Sequence, residues 1–279
     1  MMAGPLVVTG AAGRLGRRVV ARAVRAGWEV REVDVTGVAG GAVDVTSPGA
    51  LAGVLDGAAA LVHLAARPSP VGVDAHEVLS VNLGGTLAAL LAAEATGTTR
   101  VVLASSVNAT GAAYSRAPRY DAFPVTEAHA SYAEDPYALS KFLGEQAADA
   151  FARRRPAAVL TSLRFHALRE GFAFGDRDED GPKDLWGWVS FEAAAAACLR
   201  AVGRAGAGHV VANVVAVRTT SRTPTAELSA RFHPGVPWTA EPRGHRSFYA
   251  TDVARDVLGW DAADDDPAVT DAERPWSAP

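Results

Sequence analysis

A doubly wound α/β fold, a parallel sheet with helices on both faces, is what this sequence predicts. Through its first half, short apolar runs alternate with helical stretches, the pattern of β-α-β units. A glycine-rich turn, Thr9-Gly10-Ala11-Ala12-Gly13-Arg14-Leu15-Gly16, separates the first such run from the first helix. With 279 residues, 49% hydrophobic and 21% charged, the chain can bury a sizeable core in one large domain or two small ones. The alternation favours one domain: a dinucleotide-binding core over about 1–164, a small C-terminal substrate-binding lobe interleaved with it over about 165–260, and an acidic tail over 261–279.

The elements follow in order. Residues 6–9 read as strand one and 15–26 as the helix after it, closed by Gly27. Residues 29–33 are strand two. Buried strands follow at 60–64, 100–104 and 159–163, with helices over 48–55, 75–96 and 136–155 between them. The 75–96 helix carries Val78, Leu79, Val81, Leu83, Leu87, Leu90 and Leu91 around most of its circumference. An all-round apolar helix needs cover on both sides, so a homodimer through helices 75–96 and 136–155 is expected, with a third layer of the same chain as the alternative. Beyond Arg164 the alternation weakens: a Gly/Asp/Glu-rich loop (170–184), a helix (191–202), a strand (209–215) and helices near 224–231 and 251–258 follow.

The formal net charge of −4, with no basic stripe, argues against a nucleic-acid or anionic-membrane partner and for a small-molecule substrate. One cysteine, Cys198, forms no internal disulfide and reads as a packed core residue. The start lacks a basic stretch before a signal-peptide core, and no apolar stretch reaches the roughly 20 residues of a membrane span, so a cytoplasmic location is expected. Seven scattered histidines lack a ligand spacing, so no metal is expected. Arg153-Arg154-Arg155 suits a solvated helix C-terminus, Asp264-Asp265-Asp266 a loosely packed tail, and Ser106 lacks the Gly-x-Ser-x-Gly elbow of a serine hydrolase.

The glycine-rich turn is the phosphate-binding signal of a Rossmann-type fold. Gly10 permits the tight turn, Gly13 lets backbone approach a pyrophosphate, and Gly16 lets the helix pack on its strand, while Ala12, Arg14 and Leu15 complete the turn and the helix N-terminus. Asp34 ends strand two, where a carboxylate accepts both adenosine ribose hydroxyls and repels a 2′-phosphate. NAD is therefore expected, with NADP less favoured although Arg14 and Arg17 lie beside the loop. Asp44 and Val45 are placed to meet the adenine, and Leu64, Ala65 and Ala66 end a central strand with side chains small enough for a nucleotide to lie over them. His63 reads as a core histidine.

Tyr137 and Lys141, in Tyr-Ala-Leu-Ser-Lys, stand four residues apart on one helix face. An ammonium there can lower a phenol's pKa and make it a proton donor or acceptor near neutrality. The preceding pair Ser105-Ser106 ends a strand.

Taken together, the glycine turn at 9–16, His-Leu-Ala-Ala at 63–66, Asn82 with Gly85-Thr86, Ser105-Ser106, Tyr137-x-x-x-Lys141 and Leu258-Gly259-Trp260 resemble the extended short-chain dehydrogenase/reductases, the NAD-dependent epimerase/dehydratase group. That resemblance implies Tyr137 as general acid/base, Lys141 binding the nicotinamide ribose and lowering the tyrosine pKa, and Ser106 hydrogen-bonding the reacting oxygen. It also implies Ser105 facing the cofactor, and Asn82 and Phe165 as cofactor neighbours. The chain lacks the Asp-Glu pair of sugar-nucleotide 4,6-dehydratases, which disfavours elimination of water. About a hundred residues after Arg164 look tight for enclosing a nucleotide diphosphate sugar. The segment Lys183-Asp184-Leu185-Trp186-Gly187-Trp188-Val189-Ser190 resembles the uronate-dehydrogenase-like branch, where an arginine takes the substrate carboxylate and Lys183 stands here without its bidentate fork. Asn108, His166, Lys183 and Trp186 are the candidate substrate residues. The implied function is an NAD-dependent oxidoreductase interconverting a secondary alcohol and a ketone on a sugar, uronate or sugar-like molecule. The alternatives are a sugar epimerase using transient oxidation and a catalytically silent NAD-binding sensor.

Overall fold

The computed structural model describes residues 4–36, 38, 42–175 and 177–265. Six strands form one parallel sheet in the order β2-β1-β3-β4-β5-β8: β1 (Leu6–Thr9), β2 (Val30–Val33), β3 (Ala60–His63), β4 (Arg100–Ser106), β5 (Val159–Phe165) and β8 (Gly208–Val214). β1, β3 and β5 are buried along their whole length, as strands covered on both faces must be. β6 (Leu168–Arg169) and β7 (Val189–Ser190) pair separately. Successive side chains point to opposite faces. Thus Leu6 and Val8 of β1 join the core under helices α1 (Arg14–Arg25) and α5 (Phe191–Val202), whereas Val7 joins the core under α2 (Pro48–Leu55), α3 (Ala75–Thr96) and α4 (Pro136–Arg154). Strand order reverses at β1, so the crevice beyond the carboxyl ends of β1 and β3 is the topological switch point at which open α/β sheets take ligands.

Local chemistry sets the helix starts. Asp74 caps α3 by accepting from His76 N and Glu77 N, and Ser47 caps α2 ahead of Pro48. Asp135 accepts from Tyr137 N and Ala138 N with Pro136 at the first helical position, which pins Tyr137 into the first turn of α4. β4 and β5 run two residues past their expected ends, because Ser105 pairs with Arg164 and Ser106 with Phe165. Those polar residues stay in a buried ladder because Glu145 of α4 satisfies both Ser105 and Arg164.

The expectation about membrane-length segments needs correction: α3 has 22 residues and a best-window mean hydropathy of 1.5, enough by length and composition to cross a membrane. Here α3 lies between α2 and α4. Its inner face is lined by Val78, Ala88, Ala89, Ala92 and Ala93, while Leu87 and Leu91 are 42% and 47% exposed. The all-round apolar reading is therefore met by the chain on three sides and left open along one leucine edge.

A third cluster, with Phe123, Leu185, Trp186, Leu228, Phe248 and Tyr249 buried in it, forms the lobe beyond the strand ends. α6 (Thr225–Phe232) belongs to it, and α7 (Asp252–Leu258) returns to the main core, where the Trp260 indole donates to Ala193 O at 3.0 Å. Ala262, at the start of the expected tail, is buried against α5; residues 266–279 lie outside the described residues. Cys198 is fully buried, and burial pushes its thiol up to about 12.

Candidate active site

A cavity of about 940 Å³ opens at the switch point, walled by the β1–α1 turn, the ends of β2 to β5 and the start of the lobe. Its upper end is glycine-built. Gly10 has φ +70°, and a Cβ there would lie 2.8 Å from Ala65 N. A Cβ on Gly16 would lie 2.1 Å from Gly10 O, so helix and turn touch backbone to backbone. Gly13, the N-cap of α1, provides no side-chain cap. The first-turn amides and the positive end of the helix dipole are thereby left for an anion.

Asp34 sits at the far edge, its Oδ2 accepting from Ala12 N at 2.9 Å and its Oδ1 from Val35 N at 2.7 Å. A carboxylate fixed in this way keeps lone pairs for ligand hydroxyls. Gly10, Ala12, Gly13, Arg14, Leu15, Gly16, Asp44, Val45, Leu64, Ala65 and Ala66 line the same end. Asp44 is held low by the Thr46 amide and hydroxyl. Arg14 lies 4.8 Å over the Phe191 ring. The residues present fit a dinucleotide: an amide-lined turn for a pyrophosphate, a fixed carboxylate for a diol, and small side chains along the floor.

Asn82 does not line the cavity. Its Oδ1 accepts from Arg67 N at 2.7 Å, and its Nδ2 donates to Arg67 O and to Ser140 Oγ; it clamps the loop that follows Ala66 and so acts on the wall from behind. His63 is also a framework residue. Thr9 Oγ1 accepts from Leu64 N and Ala65 N and stands 2.9 Å from His63 Nδ1, and burial lowers the imidazole to about 3.

At the lower end Ser105, Ser106, Asn108, Tyr137, Lys141, Phe165 and His166 line one surface. The Ser106 hydroxyl faces the Tyr137 phenol and pulls its pKa down, but burial outweighs it and the phenol rises to about 12. Lys141 Nζ donates to Ala104 O at 2.8 Å and lies 5.7 Å from the Tyr137 ring centre. Burial lowers Lys141 to about 8, against the pull of Glu145. This corrects one expectation: in this form burial outweighs any lowering by the lysine and Tyr137 is a neutral phenol, while Lys141 gives one of its three donors to a strand carbonyl. Asn108 donates through Nδ2 to Ser106 Oγ at 3.3 Å while its Oδ1 accepts from Ala113 N, so its amide orients the serine.

Behind this surface lies a buried charge network. Glu145, one further turn along α4 from Lys141, accepts from Ser105 Oγ at 2.5 Å and is paired twice by Arg164, Nε to Oε1 at 2.9 Å and Nη2 to Oε2 at 2.7 Å. Ser105 is thus turned toward Glu145. Glu145 was not singled out in the sequence, although Tyr137, Lys141 and Glu145 share an i, i+4, i+8 spacing that places it on the same helix face.

Two substrate candidates lie elsewhere. Lys183 Nζ donates to Ser115 O at 3.0 Å, outside the cavity wall. Trp186 is 4% exposed within the lobe core, its indole donating to Asp178 O, a packing role. Both follow from the backbone at Leu185 and Trp186, which have φ of 60° and 53° and turn the segment over. Tyr114, whose ring meets Tyr137 edge-on at 5.8 Å, and Asp184 line the wall instead. His166 is committed as well, with Nδ1 accepting from Ala167 N and Nε2 donating to Asp184 O at 2.8 Å.

A family model described as the NAD dependent epimerase/dehydratase family matches residues 6–171. No curated protein sequence matches significantly. Among solved structures, a short-chain dehydrogenase/reductase superfamily protein from Agrobacterium tumefaciens with bound NAD is 25% identical, covers 92% of each chain and superposes with a TM-score of 0.69. A mutated uronate dehydrogenase is 21% identical over 93% of this chain and 81% of its own, with a TM-score of 0.69. MoeE5 in complex with UDP-glucuronic acid and NAD is 23% identical over 98% of this chain and 96% of its own, with a TM-score of 0.68.

Proposed function

Because the chain belongs to the NAD-dependent epimerase/dehydratase family, we propose that it is an NAD-dependent oxidoreductase that interconverts a secondary alcohol and a ketone on a sugar-like molecule. The observation that carries this reading is the meeting of Ser106, Tyr137 and Lys141 at one end of a cavity whose other end is a glycine turn and a fixed Asp34. Bound nicotinamide supplies the hydride acceptor or donor; the chain's own residues do the rest.

Ser106 and Tyr137 present two hydroxyls to the reacting oxygen. In the reductive direction Tyr137, a neutral phenol at neutral pH, donates a proton to the carbonyl oxygen while Ser106 holds it. In the oxidative direction the phenol must first lose its proton, and a protonated Lys141 beside it favours the phenolate. Asn108 keeps Ser106 aimed. Tyr114 packs edge-on against Tyr137 and Phe165 lines the same cavity, apolar surface that limits water beside the phenol.

Asp34 supports NAD over NADP, since a 2′-phosphate would meet a carboxylate. The leucine edge of α3 supports a homodimer through α3 and α4, in which a second copy covers Leu87 and Leu91. An epimerase reading has its own support. A structure solved with UDP-glucuronic acid matches this chain over 98% of its length and 96% of the other's, so the shortness after Arg164 does not argue against a nucleotide sugar. The test is a panel of aldoses, cyclitols, uronates and UDP-sugars incubated with NAD. Net NADH supports the dehydrogenase, isomer without NADH the epimerase, and neither in a protein that binds NAD would refute both.

A further inference from the structure

Asp184 is the one residue of the 181–187 segment that lines the cavity, and the segment is built around it. Leu185 and Trp186 both occupy the left-handed region, which two consecutive non-glycine residues adopt only when their surroundings impose it. Those surroundings are close: a Cβ on Gly181 would lie 2.2 Å from the Trp186 ring, and one on Gly187 2.4 Å from the His166 ring. His166 Nε2 holds the Asp184 carbonyl at 2.8 Å, and Trp186 N donates to Asp184 Oδ1 at 3.0 Å. Lys183 is turned the other way, its Nζ on Ser115 O and its carbonyl accepting from Tyr120 Oη. The carboxylate is also bonded by the Asp184 amide itself. Burial raises its pKa above the ordinary carboxylate value, opposed by His166, Arg169 and the Trp186 amide, and the Tyr120 and Tyr249 phenols lie within electrostatic reach of it.

From this geometry we propose that Asp184 is a substrate-binding residue that accepts a hydrogen bond from a hydroxyl or ammonium group of the substrate, and that it selects neutral or amino sugars against uronates. The proposal rests on the oxidoreductase reading of the cavity and narrows its substrate class. A carboxylate that shares a small cavity with the reacting alcohol attracts donors and repels a second carboxylate. The residue before it, Lys183, which the sequence offered as a carboxylate ligand, is held outside the wall.

The probes are galactose, glucose, myo-inositol, glucosamine, galacturonate and glucuronate, each with the NAD-loaded wild-type protein, Asp184→Asn, Asp184→Ala and Tyr137→Phe. Asp184→Asn keeps the acceptor for Trp186 N and removes only the charge. For the wild type, neutral or amino sugars are expected to exceed the uronates in kcat/KM by at least about tenfold, the weaker end of a hydrogen bond to a charged group. Asp184→Asn should narrow or reverse that ratio, and Asp184→Ala should lower kcat/KM on the preferred sugar about ten- to a hundredfold, with NAD affinity unchanged in both. Calorimetric binding of the same probes reads selectivity without turnover. Sugar binding weakened by Asp184→Ala, with no NADH formed by the wild type, would keep this assignment and sink the redox reading. A uronate preferred by the wild type and unaffected by either substitution, or a wild-type protein that binds no neutral or amino sugar, would overturn it.

Discussion

Replacing Arg164 by methionine removes the guanidinium that is ion-paired with Glu145, a carboxylate that is 2% exposed in its side chain, in a site where the guanidinium itself is 6% exposed. The native arrangement gives Glu145 two contacts from Arg164, at 2.9 and 2.7 Å, and one from Ser105, at 2.5 Å. Arg164→Met leaves the charge with the Ser105 hydroxyl as its hydrogen-bond donor and Lys141 as a more distant cation, and breaking a buried pair from one side costs about 3–5 kcal/mol. In a chain of this size that lowers Tm by on the order of 10 °C. Urea unfolding followed by circular dichroism measures it, with an unchanged slope showing that the same surface is exposed. The double variant Glu145→Leu/Arg164→Met removes both charges and should recover at least half of the loss. A single variant within about 0.5 kcal/mol of wild type, or a double variant as unstable as the sum of the two singles, would refute the reasoning that the pair is held for mutual compensation.

Other outcomes follow from the same structure. With the phenol raised to about 12 and the lysine lowered to about 8, oxidative turnover should climb with pH above neutrality while reductive turnover stays flat until the phenol titrates; equal pH profiles in both directions would contradict the assignment of Tyr137. The lysine alone favours the unfolded state most below about pH 8, because the folded form resists protonation, so its unfavourable contribution to stability should fade between about pH 8 and 10.5. Gly16→Ala places a Cβ 2.1 Å from a backbone oxygen and should cost about 1–3 kcal/mol or more of stability together with NAD affinity, read by thermal melts with and without NAD. Asp34→Asn should weaken NAD about ten- to a hundredfold by loss of a charged acceptor and narrow its preference over NADP in a fluorescence titration. Leu87→Glu should convert a dimer to monomers in sedimentation, and an unchanged mass would remove α3 from the interface.

The strand-turn-helix start and the helix bounds at 48–55, 75–96 and 191–202 were legible because each rests on local signals: glycine spacing, caps and periodicity. What escaped depended on contacts far apart in sequence. The family resemblance implied Asn82 as a cofactor neighbour, yet its amide is consumed by Arg67 and Ser140. Tyr137 and Lys141 were read as a pair in which the cation lowers the phenol, but the strand carbonyl of Ala104 competes for the ammonium and burial dominates the phenol. Lys183 and Asp184 exchanged places because no sequence pattern announces two consecutive left-handed residues without glycine. The β4 and β5 ends were set too short because polar Ser105 and Arg164 resemble strand termini until Glu145 supplies their partner.

The central claim is that Tyr137 moves a proton in a reaction coupled to NAD, and Tyr137→Phe tests it most directly when NAD binding and turnover are measured on the same preparation. Removing one hydroxyl from a packed ring should leave the NAD dissociation constant within about twofold and lower turnover by at least about a hundredfold, the low end of general acid–base catalysis. Turnover retained at wild-type level with NAD bound would contradict the account.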